Sequence, residues 1–415
     1  ASDVYKRQLS HRIGVFGVAV ATALGLTACA DNGSEADTTH AGTSETASAQ
    51  SGTSQARTAE GAVTVTDAAG RTLQFNELPE RIVLAEGRAA YATALLQDEP
   101  LHNVVAYGQD LEKAAGAFRD KLFELQPEAK DMPTIGMIQK GDVTVENLLA
   151  QKPDVVIMTL DQKKAVEESG FLSDMDAAGL KYAFIDFRQK PLENTTVSMQ
   201  LLGDLLGQSE RAEKYNEFYN AKVKEITDRV AETADRPDVL IWMAAGFNDC
   251  CAVAGDSNLG TLVTAAGGHN LGPEVLGADS TTITAEKLIE LNPDKLIVTG
   301  GEWARDPNRT DAIRHVELGY QSSPELALQT CDGPLSQAGM DQLDATKNGN
   351  YFAVYHQFYD NPYNVFALEA FAKWIHPEQF ADLNPTQDFK DFHKEWLPFD
   401  YSGAFFIDPA NPEEN

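Results

Sequence analysis

The sequence predicts an α/β protein built as two lobes of similar size joined by a long helix. Three observations carry this. The stretch VTVENLLAQKPDVVIMT at 143–159 returns at 283–299 as ITAEKLIELNPDKLIVT, with seven of seventeen positions identical, including the central Pro-Asp. Such distant self-similarity marks two related structural units. Around each copy, β-branched apolar runs alternate with helix-compatible segments, the pattern of parallel α/β structure. Between the two halves, residues 195–234 are almost entirely helix-compatible.

Each copy of the repeat reads as a short helix capped by Thr144 or Thr284, with Glu146 or Glu286 in its first turn. A Pro-Asp turn and a buried strand follow. In chain order, VTVTDAAGRTLQF (63–75) reads as a hairpin around an Ala-Ala-Gly turn. RIVLAEG (81–87), VVAYG (104–108), VVIMT (155–159) and YAFIDF (182–187) are the strands of a first lobe over 62–194. The linking segment 195–234 is expected as a stiff strut, about 38 Å long if about 25 of its residues form one helix, with Gly207 as its one candidate interruption. VLIWMAA (239–245), CCAVAG (250–255), KLIVTGG (295–301) and YFAVYH (351–356) are the strands of a second lobe over 235–405. NVFALEAFAKWIH (364–376) is its closing helix, and 406–415 reads as a tail.

The chain has 415 residues, 43% of them hydrophobic, enough for two buried cores. Residues 1–8, ASDVYKRQ, read as a sequence-assembly scar and are set aside. Basic residues then precede the apolar run Ile13–Thr27, which suits a signal h-region better than a bilayer span. It ends in Leu26-Thr27-Ala28-Cys29, which resembles a bacterial lipobox, so that 1–29 reads as scar plus lipoprotein signal and Cys29 as the lipid anchor. Residues 30–61 are small and polar and read as a disordered tether. The expected location is extracytoplasmic, on the outer face of the cell membrane.

The net charge is −30 with no clustered Lys or Arg, which excludes nucleic acid as a natural partner. Cys250, Cys251 and Cys331 remain for an oxidising compartment. A bridge from one of the adjacent pair to Cys331 is the first expectation, a bridge between neighbours the second and a metal site the third. The eight histidines are scattered, which speaks against a bare transition-metal site. Enzyme signatures are missing: no G-x-G-x-x-G after the first strand, no P-loop, no G-x-S-x-G and no H-E-x-x-H. The chain is therefore read as a binding protein and not an enzyme, with a hydrolase or an adhesin as the alternatives from other classes.

Ligands of open parallel sheets sit beyond the carboxyl ends of the strands, so residues just after strands are the candidates. In the first lobe these are Arg88 at a helix start, Tyr107 and Arg188 at strand ends, and Gln139 and Lys140 before the repeat helix. Arg88 is the expected partner of an anionic oxygen cluster. In the second lobe, Trp303 and Arg305 leave one strand and His356, Gln357 and Tyr359 another. Trp303 offers a stacking surface.

VTVTDAAGRTLQFNELPERIVLAEG (63–87), the two repeats, GTLVTAAGGHNLG (260–272) and NGNYFAVYHQFYDNPYNVFALEAFAKWIHPEQF (348–380) resemble the iron-complex substrate-binding proteins of ABC importers. The resemblance covers roughly 62–400 and lies chiefly in the order of the motifs; the cysteines and the segment 302–347 depart from it. It implies a class III periplasmic binding protein fold, two Rossmann-like lobes joined by one backbone helix. It further implies capture of an iron complex in the interlobe cleft and delivery to a permease dimer. A ferric siderophore is the expected cargo, since its iron is already saturated and the protein need supply only shape, aromatic walls and charge. Haem or an oxyanion is the alternative within the fold. The resemblance implies no intrinsic cofactor, a monomer, and one permease-docking acidic side chain on each lobe.

Overall fold

The computed structural model describes residues 62–247, 250–276, 281–304 and 314–415. The expected signal, the tether, Cys29 and Arg305 lie outside the described residues. The chain opens with an antiparallel hairpin, β1 (Val63–Thr66) and β2 (Thr72–Phe75). The buried Asp67 organises its turn, accepting hydrogen bonds from the amides of Ala69 at 3.0 Å and Arg71 at 2.9 Å. Asp67 also accepts from the Phe184 amide at 3.1 Å, which pins the hairpin to the first lobe.

The first lobe is an all-parallel sheet of β3 (Ile82–Leu84), β4 (Val104–Gly108), β5 (Thr134–Ile135), β6 (Val155–Thr159) and β7 (Tyr182–Ile185), in the order β5-β4-β3-β6-β7. β5 is two residues long, too short for any hydrophobic period to reveal. The second sheet contains β8 (Asp238–Met243), β9 (Ala252–Val253), β10 (His269–Asn270), β11 (Lys295–Gly300), β12 (Tyr351–Tyr355) and β13 (Phe406–Ile407). Its order is β10-β8-β11-β12-β13, with β9 antiparallel on the end of β8. β13 is antiparallel to β12, so the segment read from sequence as a tail begins with a strand of this sheet. Both sheets carry helices on their faces, and their central strands are buried apart from the half-buried Lys295 that starts β11, which is why those strands read as apolar runs.

Each sheet reverses its winding direction once, between β3 and β6 in the first lobe and between β8 and β11 in the second. The repeated sequence supplies β6 and β11, one strand of each reversal. Its caps form as expected: Thr144 accepts from the Asn147 amide at 3.3 Å and starts the helix Val145–Ala150, and Thr284 accepts from the Lys287 amide at 3.1 Å and starts Ala285–Leu291. The repeated Pro-Asp has a purpose invisible in the local pattern. Asp154 accepts from the amides of Glu80 and Arg81 at the start of β3, at 3.0 and 2.9 Å. Asp294 accepts from the Asp238 amide that begins β8, at 2.9 Å. In both lobes the same carboxylate sets the stagger between the two strands that flank the reversal.

The linking segment is not one rod. It folds as two helices, Pro191–Leu205 and Ser209–Val230, around Gly207 at φ 68°. They lie against each other closely enough that a Cβ on Gly203 would fall 2.4 Å from that of Ala212. The longer helix does the bridging. Its Arg211 donates to the Trp396 carbonyl at 2.8 Å and to the Leu95 carbonyl, one in each lobe. Tyr215 donates to the Pro362 carbonyl, and Tyr219 shares a 2.8 Å hydrogen bond with Asn364. At 22 residues this helix is about 33 Å long.

The lobes also meet through a shared apolar core. Tyr91 stacks on Phe118 at 3.7 Å and meets Tyr363 edge-on at 5.4 Å, while its hydroxyl lies 3.0 Å from that of Tyr355. Phe118 further contacts Tyr320 and Phe399 of the second lobe, at 5.7 and 6.0 Å. Any wide opening would have to separate this cluster.

The first expectation for the cysteines is corrected. Cys250 is bonded to its neighbour Cys251, and Cys331 is free and buried. Cys331 ends the helix Pro324–Cys331, packed under Tyr351, whose hydroxyl donates to its carbonyl at 2.7 Å. The adjacent pair lies instead in the connection between β8 and β9.

Candidate functional site in the cleft between the lobes

The turns that leave the four reversal strands face one another, and with the turn after β12 they build the site. The turn after β3 is Ala85-Glu86-Gly87-Arg88. It passes so close to the end of β4 that a Cβ on Gly87 would sit 2.3 Å from the Gly108 carbonyl oxygen. Only glycine fits, and the close approach brings Asp110 onto the turn, where its carboxylate accepts from the amides of Gly87 at 2.8 Å and Arg88 at 2.9 Å.

Arg88 is the hub. Its Nε donates to Glu86 at 2.8 Å and lies 3.2 Å from Asp110. Its outer nitrogens cross the cleft to Gln357 Oε1 at 3.2 Å, to the Tyr359 hydroxyl, and to Asp360 Oδ2 at 2.9 Å. All of these groups but Tyr359 are buried. Gln357 reinforces the crossing by donating to the Ala114 carbonyl of the first lobe at 2.8 Å. The expected first-turn arginine aimed at an anionic ligand is therefore an interlobe latch. A guanidinium with this many carboxylates nearby saturates its donors internally.

The electrostatics follow from that crowding. Burial and the neighbouring Glu86 push Asp110 up to about 7. Burial raises Asp360 well above the carboxylate range against the pull of Arg88. Burial also acts to raise Glu86, yet Arg88 and its hydrogen bonds hold that carboxyl below its ordinary value. Arg88 thus favours the ionised form of Glu86, while burial favours the protonated forms of Asp110 and Asp360.

Beside the latch lies a strip of rings and one further arginine. Arg188 ends the turn after β7, 4.9 Å above the Tyr359 ring and 3.1 Å from Asp161. Tyr359 lies 4.7 Å from His356, and His356 lies 5.1 Å from Trp303. Trp303 in turn meets Phe247 at 4.9 Å and His315 at 5.3 Å. Phe247 is 46% exposed, unusual for so large an apolar side chain and consistent with a contact surface. Beneath the strip, the Thr299 hydroxyl lies 2.7 Å from His356 Nδ1 and accepts from the Ala244 amide at 2.7 Å. Burial, together with Arg88 and Arg188, depresses His356 to about 3, so it is neutral at physiological pH. Glu302 is pushed up to about 7 by burial, against hydrogen bonds from the amides of Gln321 and Ser322.

Of the expected site residues, Arg88, Arg188, Trp303, His356, Gln357 and Tyr359 form one contiguous cluster. Gln139 joins it through Gln162, whose amide donates to Gln139 at 3.4 Å and to Glu86 at 3.2 Å. Lys140 is exposed beside it, with no described partner. Tyr107 does not reach the site; it is 4% exposed and packs in the apolar core under the first sheet. Strands alternate faces, and its position in β4 turns it inward.

Glu86, Asp110, Asp161, Asp360 and Phe247 were missed. Four are carboxylates just beyond strand ends, in AEGR, YGQD, TLDQ and FYDNP, and Glu86 shares its turn with Arg88. An acidic residue immediately after a buried strand was the available signal. Among the described residues, no group of His, Cys, Asp and Glu side chains is placed to hold a metal ion.

The periplasmic binding protein family model matches residues 113–319. An uncharacterised ABC transporter substrate-binding lipoprotein of Bacillus subtilis, YvrC, is 20% identical over 289 residues, spanning 68% of this chain and 84% of that protein. Among solved structures, the TroA-like periplasmic binding protein FepB of Veillonella parvula is 25% identical with a TM-score of 0.74, covering 83% of this chain and 99% of that one. The molybdate-binding protein MolA of Haemophilus influenzae has the same fold at 18% identity and a TM-score of 0.60, covering 82% of this chain and 99% of that one. The two-lobed fold with a helical bridge is thus shared with binding proteins of this type.

Proposed function

This chain belongs to the periplasmic binding protein family, and from that premise we propose that it captures a ferric chelate of the siderophore kind between its lobes. It is the substrate-binding protein of an ABC transporter, whose permease is its partner. The reading of the cargo is supported by one observation: the turns after β7 of the first lobe and after β8, β11 and β12 of the second meet in a single strip containing Arg188, Tyr359, His356, Trp303 and Phe247. A preassembled chelate needs no metal ligand from the protein, only a shaped wall with rings and a few polar groups. Gln139 and Lys140 border that wall on the first lobe, while Arg88 and Gln357 hold the lobes around it. No catalytic step is assigned to these residues.

In this reading 62–194 and 235–407 are the two lobes and the hairpin of helices between them restrains their motion. The lipobox would place the protein on the outer membrane face through Cys29, as a monomer handing cargo to the permease.

Tryptophan fluorescence titrated with a ferric tris-hydroxamate, haem, cobalamin and molybdate tests the cargo. Saturable quenching by the ferric chelate is expected, weakened about 5- to 30-fold in Trp303→Ala from lost stacking and burial. Saturation by haem or molybdate with the chelate silent would replace the reading.

A further inference from the structure

We infer that His356 meets the cargo as a fixed hydrogen-bond donor through Nε2–H. It therefore selects complexes that present an acceptor oxygen on their outer surface over complexes that need an imidazole bound to their metal. This rests on the reading above that the cleft holds a metal chelate. The geometry begins at Thr299, near the end of β11, whose side chain is fully buried, so that water does not complete its hydrogen bonds. Its hydroxyl oxygen accepts from the Ala244 amide at 2.7 Å and lies 2.7 Å from His356 Nδ1. A hydroxyl carries one proton, and among the described residues Nδ1 is the acceptor it has. Nδ1 must then hold a lone pair. Burial, with Arg88 and Arg188 nearby, keeps the ring neutral, so its own proton sits on Nε2. The opposite tautomer would leave a buried hydroxyl proton unanswered, a disadvantage of about tenfold or more.

Nε2 is the end of the ring left for a ligand. It has no hydrogen-bond partner among the described residues, and, unlike Nε2 of His315 further along the strip, it is not sealed from solvent. Trp303 and Tyr359 hold the ring at 5.1 and 4.7 Å, and the bond to Thr299 fixes its rotation, so the donor has a set direction. On the other side of Tyr359, Arg188 is partly exposed with one nitrogen paired to Asp161, which leaves it further N–H groups. Both residues offer hydrogens and neither offers a lone pair. Coordination of iron through Nε2 would require the proton there to leave, and the tautomer that allows it is the one Thr299 disfavours. A complex whose iron is already saturated carries hydroxamate or carbonyl oxygens at its surface, and these accept.

The test has a spectroscopic arm and a binding arm. Nitrogen-15 spectra of histidine-labelled protein, with His356→Gln identifying the signals, are expected to show the Nε2–H tautomer at His356 and an Nδ1 signal that moves in Thr299→Val. A hexadentate ferric tris-hydroxamate and a tetradentate ferric bis-hydroxamate with open coordination positions are then titrated by tryptophan fluorescence and by the visible band of the iron. His356→Phe is expected to weaken the tris-hydroxamate about 3- to 10-fold, the share of one hydrogen bond. His356→Gln, whose amide nitrogen donates from nearly the same place, is expected to bind within about twofold of wild type. An Nδ1–H tautomer, an Nδ1 signal unmoved by Thr299→Val, or His356→Phe binding as wild type does overturns the donor assignment and leaves the chelate reading standing. So does an iron band that shifts when the tetradentate complex binds and no longer shifts in His356→Phe. Silence from both complexes in a protein that melts normally overturns the chelate reading and the selection with it, while the spectra alone still decide the tautomer.

Discussion

Replacing Arg88 by alanine leaves Glu86, Asp110 and Asp360 buried without the cation that links them. Breaking a buried ion pair from one side costs about 3–5 kcal/mol, because the abandoned charge keeps its desolvation penalty. With an unfolding entropy of about 2.1 cal/mol/K per residue over roughly 350 folded residues, that corresponds to a fall in Tm of about 4–7 °C. The deficit should depend on pH with a definite sign. Asp110 titrates near 7 in the folded protein, against an ordinary value of about 4, so between those limits the folded state holds a proton the unfolded chain has released. This group therefore destabilises increasingly as pH rises through about 7, and Arg88 is what moderates the penalty. Removing Arg88 raises the carboxyls further, so the variant's deficit is largest at pH 7–8 and shrinks at pH 5, where the acids are neutral. Calorimetry of both proteins at pH 5 and pH 8, with Lys140→Ala as the exposed control, reads this directly. A variant that melts within about 1 °C of wild type at pH 8, or one whose deficit grows towards pH 5, refutes the latch.

Asp154→Ala and Asp294→Ala remove the same strand-setting carboxylate from each lobe, and each is expected to cost about 1–2 kcal/mol in chemical denaturation; a loss confined to one lobe's variant would break the equivalence of the repeats. Glu369, buried beside Lys222 at 3.4 Å, is pushed up to about 8 by burial, so it holds its proton in the folded state and the folded protein should lose stability as pH rises through 8. A Tm that rises over pH 7–9 would contradict that assignment, and Glu369→Gln should flatten the slope. The Cys331 thiol is buried and pushed up to about 12, so it should resist alkylation in the native state and react on unfolding. Non-reducing peptide mapping should find Cys250 joined to Cys251; recovery of a Cys331 bridge would overturn the pairing.

Much of this molecule is decided by short-range pattern. Thr144 and Thr284 cap helices because a hydroxyl three residues from a backbone amide can do little else. VVAYG and VVIMT are strands because unbroken apolar runs between turns have to be covered on both faces. The alternation of such strands with helices, twice over and separated by a helical stretch, is enough to predict two α/β lobes and where their strand ends lie. Gly207 shows the limit: the sequence offers it as a break between two helix-compatible stretches, but that these fold back on each other, with Gly203 against Ala212, is set by packing.

The site was legible as a set of positions and illegible as a set of partners. Strand ends pointed to Arg188, Trp303, His356 and Tyr359, since the topology of parallel sheets makes those positions converge. They pointed to Tyr107 as well, which the alternation of β4 buries in the core. The state of Arg88 depended on Asp360 and Gln357, some 270 residues further along the chain. No local period encodes which charge meets which across a cleft, because Coulomb and hydrogen-bond energies depend on separation in space. The sequence alone determined the lobes, their central strands and the strand ends that meet; the tertiary structure alone decided that the principal arginine ties one lobe to the other beside a strip of rings.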